Sequence, residues 1–252
     1  MTTPSYPIAL LLVLATAGVT AIAYIVVRPT PPERMKNYGG PIGVLGRWLY
    51  FIQRPLVRIA IALRLTANAM SGAGVIFGLG AGGLAAMGLW GWAGLSLAAS
   101  AWCDAIDGEI ARATRTQGKA GAFLDSNLDR IIEIALFAGI AWGLPDRTSS
   151  IWAMAALASS FMVSYARARG EGLGVACPNF GMERPHRVVL LLFALLAAPF
   201  LGAQGSALVV ESACAIVTLG ASATAVGRMF VIHHKLRRQE DDPRGSGPAG
   251  PA

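Results

Sequence analysis

The chain has 252 residues, 54% of them apolar and only 14% charged, whereas an ordinary soluble domain carries about 25% charged residues. That composition excludes a soluble enzyme and leaves no room for a second, soluble domain; it belongs to a chain that spends most of its length in lipid. The net charge of +7 sits in segments between apolar runs, so it reads as membrane topology and anionic ligands, and no nucleic-acid partner is expected.

Apolar runs near 8–27, 68–89, 91–111, 122–144, 149–166, 188–203 and 207–231 predict about seven helices, a hydrocarbon core being crossed by about 20 residues. The first run contains the Ala21-x-Ala23 pattern of a cleavage site. No Lys or Arg precedes it, however, and Arg28, Arg34 and Lys36 follow it, which predicts a retained anchor with its N-terminus outside. Between Pro41 and Leu65, apolar Trp48, Leu49, Phe51, Ile52, Leu56, Ile59 and Leu63 alternate with Arg47, Arg54, Arg58 and Arg64. This is the pattern of a basic amphipathic helix lying on the membrane surface. The connectors 28–64, 112–119, 167–187 and 228–238 then fall on one side and 88–92, 144–150 and 201–206 on the other. The basic side is expected to be cytoplasmic. Trp90, Trp92, Trp142 and Trp152 fall near the predicted interfaces, where indoles collect. Past His233 the chain turns polar, then Gly- and Pro-rich, predicting a disordered tail. Cys103, Cys177 and Cys214 have neither CxxC nor paired spacing, which excludes a zinc site and a disulfide framework.

No aspartate occurs in the first 103 residues; Asp104, Asp107, Asp125 and Asp129 then arrive together. Charge at membrane depth is costly, so such carboxylates pair, coordinate a cation or line a wet cavity. The i,i+3 and i,i+4 spacings place each pair on one helix face. The short connection from Arg112 to Ala120 predicts antiparallel neighbouring helices whose acidic faces converge. Oxygen ligands without nearby His or thiolate suit Mg²⁺ or Mn²⁺, and two such ions can hold a pyrophosphate, activate a hydroxyl and stabilise a leaving phosphate. Gly108 would let a nucleotide approach the backbone, and Arg112, one turn on, can grip a phosphate or base. Gly121 is expected to let the two helices pack closely. Intramembrane carboxylates also mark ion pathways, so a non-catalytic transport or ion-binding protein is the alternative from another class; no inverted repeat supports it.

Read together, Asp104, Asp107, Gly108, Ala111, Arg112, Gly121, Asp125 and Asp129 spell D-x2-D-G-x2-A-R-x8-G-x3-D-x3-D, which resembles the signature of the CDP-alcohol phosphatidyltransferase family. The resemblance implies an all-α, polytopic membrane fold: a six-helix bundle with an amphipathic juxtamembrane helix, usually homodimeric. The expected division is an N-terminal transmembrane anchor and connector over 1–40, an addition to the family plan, then the transferase domain over 41–235 and a disordered cytoplasmic tail over 236–252. It further implies a cell-membrane location with the active site facing the cytoplasm, and two divalent ions on the four aspartates against a CDP-diacylglycerol pyrophosphate. Asp129 would also be the general base for an incoming hydroxyl, and CMP the leaving group. The stretch Thr66-Ala67-Asn68-Ala69-Met70-Ser71 falls where the family usually reads T-P-N-x-x-T, which implies CDP-lipid contacts for Asn68 and Ser71, with Ala67 and Ser71 departing from the pattern.

The segments Ser164-Tyr165-Ala166-Arg167-Ala168-Arg169-Gly170-Glu171 and Glu183-Arg184-Pro185-His186-Arg187 resemble S-Y-x-K-A-R-x-E and E-R-x-E-R of the family's phosphatidylinositol phosphate synthases. Arg167 stands there in place of Lys and His186 in place of Glu, and Gly118 in the connector where Thr or Ser is common. By this resemblance Arg167, Arg184 and Arg187 form a cationic pocket for the phosphate of inositol 1-phosphate, to which guanidinium forks are suited. Glycerol 3-phosphate, the acceptor of a phosphatidylglycerophosphate synthase, is the alternative phosphorylated alcohol.

Overall fold

A computed structural model describes residues 5–30 and 40–241. All regular structure among these residues is helical: α1 (Ser5–Val27), α2 (Gly40–Ala62), α3 (Ala67–Ala86), α4 (Trp90–Ala113), α5 (Lys119–Gly143), α6 (Arg147–Gly172), α7 (Arg184–Ala197) with a 3₁₀ turn at Ala198–Phe200, and α8 (Gly202–Asp241). Lipid offers no partner to backbone polar groups, so each apolar run closes its own hydrogen bonds as a helix. Every one of the seven apolar runs coincides with a helix, and the basic amphipathic segment forms α2. Among the described residues four helices, α1, α3, α6 and α8, are long and apolar enough to cross a membrane. Helices α4 and α5 have the length but carry the charged residues of the acidic motif. The chain is a membrane protein.

Helix α3 is the centre of the first half of the bundle and packs against both α4 and α5. Its glycines make this possible. A Cβ on Gly139 would lie 2.0 Å from the Gly82 carbonyl oxygen, and one on Gly143 would lie 2.1 Å from that of Ala85, so α3 and α5 touch backbone to backbone, as small residues permit in lipid. The Ser100 hydroxyl ties α4 to α3 by donating to the Gly74 carbonyl at 2.8 Å. In contrast to the expectation of antiparallel neighbours, α4 and α5 scarcely touch each other directly; α3 bridges them, and the wedge between them stays open. Gly121 is corrected with them: nothing lies within 4 Å of a Cβ built there, so it does not serve helix packing. The close approach assigned to it is made by Gly82, Gly139 and Gly143.

The second half pairs α6 with α8 and seats α7 against α4 and α8. A shared apolar core runs from Ala81 and Leu97 through Phe137 and Ile140 to Leu195, Val210 and Val217. Trp90, the first residue of α4, is packed into this core, whereas Trp142 is exposed. Val57 and Ala60 of α2 pack on Ile106 and Ile110 of α4, leaving Arg54 and Arg58 exposed.

Helix α1 meets the rest near its two ends. Tyr6 is 1% exposed, its hydroxyl donates to the Leu196 carbonyl at 2.7 Å, and its ring fills the space beside Gly91. Leu196 lies in the last turn of α7, where carbonyls lack an intrahelical donor, so Tyr6 satisfies one of them. Tyr24 packs on Phe51 of α2 with ring centroids 5.8 Å apart. Helix α8 continues to Asp241, past residue 235 where the folded domain was expected to end; residues 242–252 of the expected tail, and the connector 31–39, lie outside the described residues.

Candidate active site

The acidic residues stand at the ends of α4 and α5 that flank the open wedge. Asp104, Asp107 and Asp125 each place a carboxylate oxygen within 4.8 Å of the others, although they come from helices that barely meet. Asp129, one turn beyond Asp125, lines the same narrow cleft with Ser71, Gly74 and Ser100. Like charges so close favour a compensating cation, and an all-carboxylate oxygen set fits a hard divalent ion. The cluster can therefore hold metal.

The Thr66 side chain accepts the Ala69 backbone N–H at 3.2 Å and so caps α3. That start presents Asn68 and Ser71 from the first turns of α3, and the Ser71 hydroxyl donates to Asp107 at 2.5 Å. Asp107 is 8% exposed, and this bond helps satisfy it. Beside the cluster opens a cavity of about 670 Å³, lined by Asn68, Ser71, Asp104, Asp107, Gly108, Arg112, Gly121 and Asp125. Asn68, Ser71, Gly108 and Arg112, expected to contact a CDP-lipid, therefore line one space with three of the four aspartates, Asp129 lying outside its lining. Arg112 lies across Gly108, where a Cβ would meet its guanidinium nitrogens at 3.3 Å, and pairs with Glu109 at 2.9 Å. Gly121 takes its place on this wall: the cavity, not a neighbouring helix, lies at its missing side chain.

A cationic region adjoins the cluster, built from α6, the start of α7 and α8. Glu183 accepts from Arg167 of α6 at 2.8 Å and from Arg228 of α8 at 2.8 Å. Arg167 also donates to Asn179. Arg184, the next residue, bonds Asp129 at 2.6 Å and Asp104 at 3.3 Å, so the basic and acidic halves are in direct contact. The Nε atoms of Arg167, Arg184 and Arg228 are all buried without a hydrogen-bond partner. Buried donors are normally satisfied, and unsatisfied guanidinium donors on the two arginines around Glu183 and on the adjoining Arg184 mark a region suited to an anion.

Arg187 does not join this group. It is 1% exposed, gives Nε and Nη2 to Glu133 at 3.2 and 2.7 Å, and gives Nη1 to the Met182 carbonyl at 3.1 Å. Glu133 is held on its other side by Arg130, which also donates to Ser164 at 2.8 Å. This buried network fastens α5 to α6 and α7, and engages each of the three guanidinium nitrogens of Arg187. Arg228 is the residue that sequence reasoning misses. By its place in the chain it falls in a basic connector, yet it is 2% exposed, and the available signal is one arginine inside an apolar helix, where charge is rare and functional.

Comparison with known proteins identifies the family and the fold. The profile of the CDP-alcohol phosphatidyltransferase family matches residues 62–223. An archaetidylinositol phosphate synthase of Methanothermobacter thermautotrophicus is 41% identical over 101 residues, covering 40% of this chain and 51% of the relative; the match spans about half the relative's length. A phosphatidylinositol phosphate synthase of Streptomyces avermitilis is 29% identical over 216 residues, 79% of this chain and 84% of the relative. The fold matches the phosphatidylinositol phosphate synthase of Mycobacterium tuberculosis solved with CDP-DAG bound, with a TM-score of 0.66 at 24% identity over 72% of this chain and 93% of that one. Another structure of that protein contains manganese and citrate, and matches with a TM-score of 0.66 at 24% identity over 72% of this chain and 88% of that one.

Proposed function

The chain belongs to the CDP-alcohol phosphatidyltransferase family, and we propose that it transfers a phosphatidyl group from CDP-diacylglycerol to inositol 1-phosphate, releasing CMP. Family membership displaces the ion-pathway alternative. The observation that carries the acceptor is the contact between halves: Arg184 reaches Asp129, while its neighbour Glu183 gathers Arg167 and Arg228. A phosphomonoester held by Arg167, Arg184 and Arg228 would lie within one side-chain length of the proposed base. Relatives named for inositol phosphate products support this choice over glycerol 3-phosphate.

Asp104, Asp107, Asp125 and Asp129 would hold two divalent ions, Mg²⁺ or Mn²⁺, whose chemistry is to neutralise the CDP pyrophosphate and the departing CMP. Asn68, Ser71, Gly108 and Arg112 line the wall along which the nucleotide is placed, and Gly121 leaves that wall open. Asp129 takes the proton of the acceptor hydroxyl. The hydroxyl oxygen bonds to the lipid-bearing phosphorus as the bond from that phosphorus to the CMP oxygen breaks. The pocket arginines fix the acceptor's orientation, and catalysis is chiefly positioning and electrostatics. We further assign the basic face, and with it the site, to the cytoplasm, and a homodimer as the working assembly.

The test is CMP release by the purified protein with CDP-diacylglycerol and Mg²⁺, comparing inositol 1-phosphate, glycerol 3-phosphate, free inositol and serine. Stimulation by inositol 1-phosphate alone is expected. Stimulation by glycerol 3-phosphate alone would reassign the pocket to that acceptor, and release with an unphosphorylated acceptor would remove the arginines from the role of phosphate ligands.

A further inference from the structure

The two halves of the site share one side chain. Arg184 gives one guanidinium nitrogen to Asp129 at 2.6 Å and the other to Asp104 at 3.3 Å, while its Nε is buried without a partner. Those carboxylates are two of the four assigned to divalent ions, and a guanidinium lying on their oxygens competes with any other cation for them. On its other side, the adjoining Glu183 is held by Arg167 and Arg228.

The backbone at this point is fixed. Arg187, one turn along α7, is clamped by Glu133 and the Met182 carbonyl, and Pro185 stiffens the first turn. The Arg184 side chain is 23% exposed and that of Asp104 39%, so the guanidinium is not fully enclosed where its backbone is held.

We infer that Arg184 is a positioning residue that couples metal binding to acceptor binding. It holds Asp104 and Asp129 as an internal cation in competition with divalent ions, and once released from them it turns its donors to the acceptor phosphate. The inference deepens the proposed reaction and rests on its metal and acceptor assignments. Because coupling free energy is reciprocal, a phosphomonoester that draws Arg184 away must raise metal affinity by the same factor that metal raises affinity for the phosphomonoester.

The experiment needs no turnover. Free Mn²⁺ is followed by electron paramagnetic resonance as it is titrated with purified protein lacking CDP-lipid, with and without inositol 1-phosphate or glycerol 3-phosphate. In the unaltered protein at least one phosphomonoester is expected to tighten Mn²⁺ binding by about 5- to 150-fold, the usual range of such coupling. Arg184→Gln is expected to bind Mn²⁺ more tightly than the unaltered protein when no phosphomonoester is present, and to lose the response to it. Equal or weaker Mn²⁺ binding by Arg184→Gln, or a response that survives the substitution, overturns the coupling and leaves the metal assignment standing. Failure of the unaltered protein to bind Mn²⁺ overturns the metal assignment and the inference with it. Should Arg184→Gln not fold, the unaltered protein decides alone: Mn²⁺ affinity indifferent to both phosphomonoesters overturns the inference.

Discussion

The acidic and cationic halves of the site are opposite solutions to placing charge in a membrane protein. In the acidic half, four carboxylates from two helices converge with Arg184 as the only cation bonded to them among the described side chains. Their oxygen set suits a cation from outside. In the cationic half, each arginine finds a carboxylate from within, two sharing each: Arg187 and Arg130 on Glu133, Arg167 and Arg228 on Glu183. The first arrangement stores binding capacity. The second divides its arginines into those that hold helices together and those with donors left for a ligand, a division that their common chemistry conceals.

The largest effect expected from breaking this contrast is on the acidic side. Asp129→Asn should lower CMP release by roughly 10²- to 10⁴-fold, the usual contribution of a general base, with thermal unfolding in detergent little changed. Near-normal turnover would remove Asp129 from that role. On the cationic side the consequence is inverted. Arg187→Met leaves Glu133 buried with one partner fewer and should cost about 3–5 kcal/mol of stability, read as a lowered unfolding temperature; an unchanged one would show that the network does not fasten the bundle. Arg187→Met combined with Glu133→Leu and Arg130→Met should recover much of that loss, because no member of the buried charge network is then left without its partner.

Smaller effects test the scaffold beneath the two halves. Gly139→Ala would drive a methyl into the Gly82 carbonyl and, as an overpacking change, should cost about 1–3 kcal/mol. Because α3 and α5 carry groups of the cleft, a rise in the Mn²⁺ dissociation constant should accompany the loss of stability. Tyr6→Phe removes one hydrogen bond, worth about 1 kcal/mol, and should lower the unfolding temperature slightly without altering CMP release. A change in the rate would instead tie α1 to the reaction.

Much of this was legible in the residue order. The seven apolar runs became helices because lipid leaves a long apolar segment no other way to satisfy its backbone. The i,i+3 and i,i+4 aspartates shared faces because helix geometry alone dictates it. Gly121 shows where such reasoning stops. A glycine beside two helices suggests close packing, but only the tertiary arrangement reveals that the neighbouring helix is absent there and a cavity is present. The same holds for Trp90, whose position near a predicted interface said nothing about the core that closes over it.

Sequence by itself therefore determined the membrane class, the helices, the four aspartates and the chemistry that oxygen ligands at that spacing invite, because each depends on composition or on neighbours within one or two turns. Tertiary structure alone decided which arginine meets which carboxylate. Arg187 and Arg184 are three residues apart, yet one is buried on Glu133 and the other reaches Asp104 and Asp129, while Arg228 joins Glu183 from another helix. Those pairings span tens of residues and are set by how α4, α5, α7 and α8 pack. No local spacing encodes them, since a guanidinium accepts any carboxylate that the packing brings within reach.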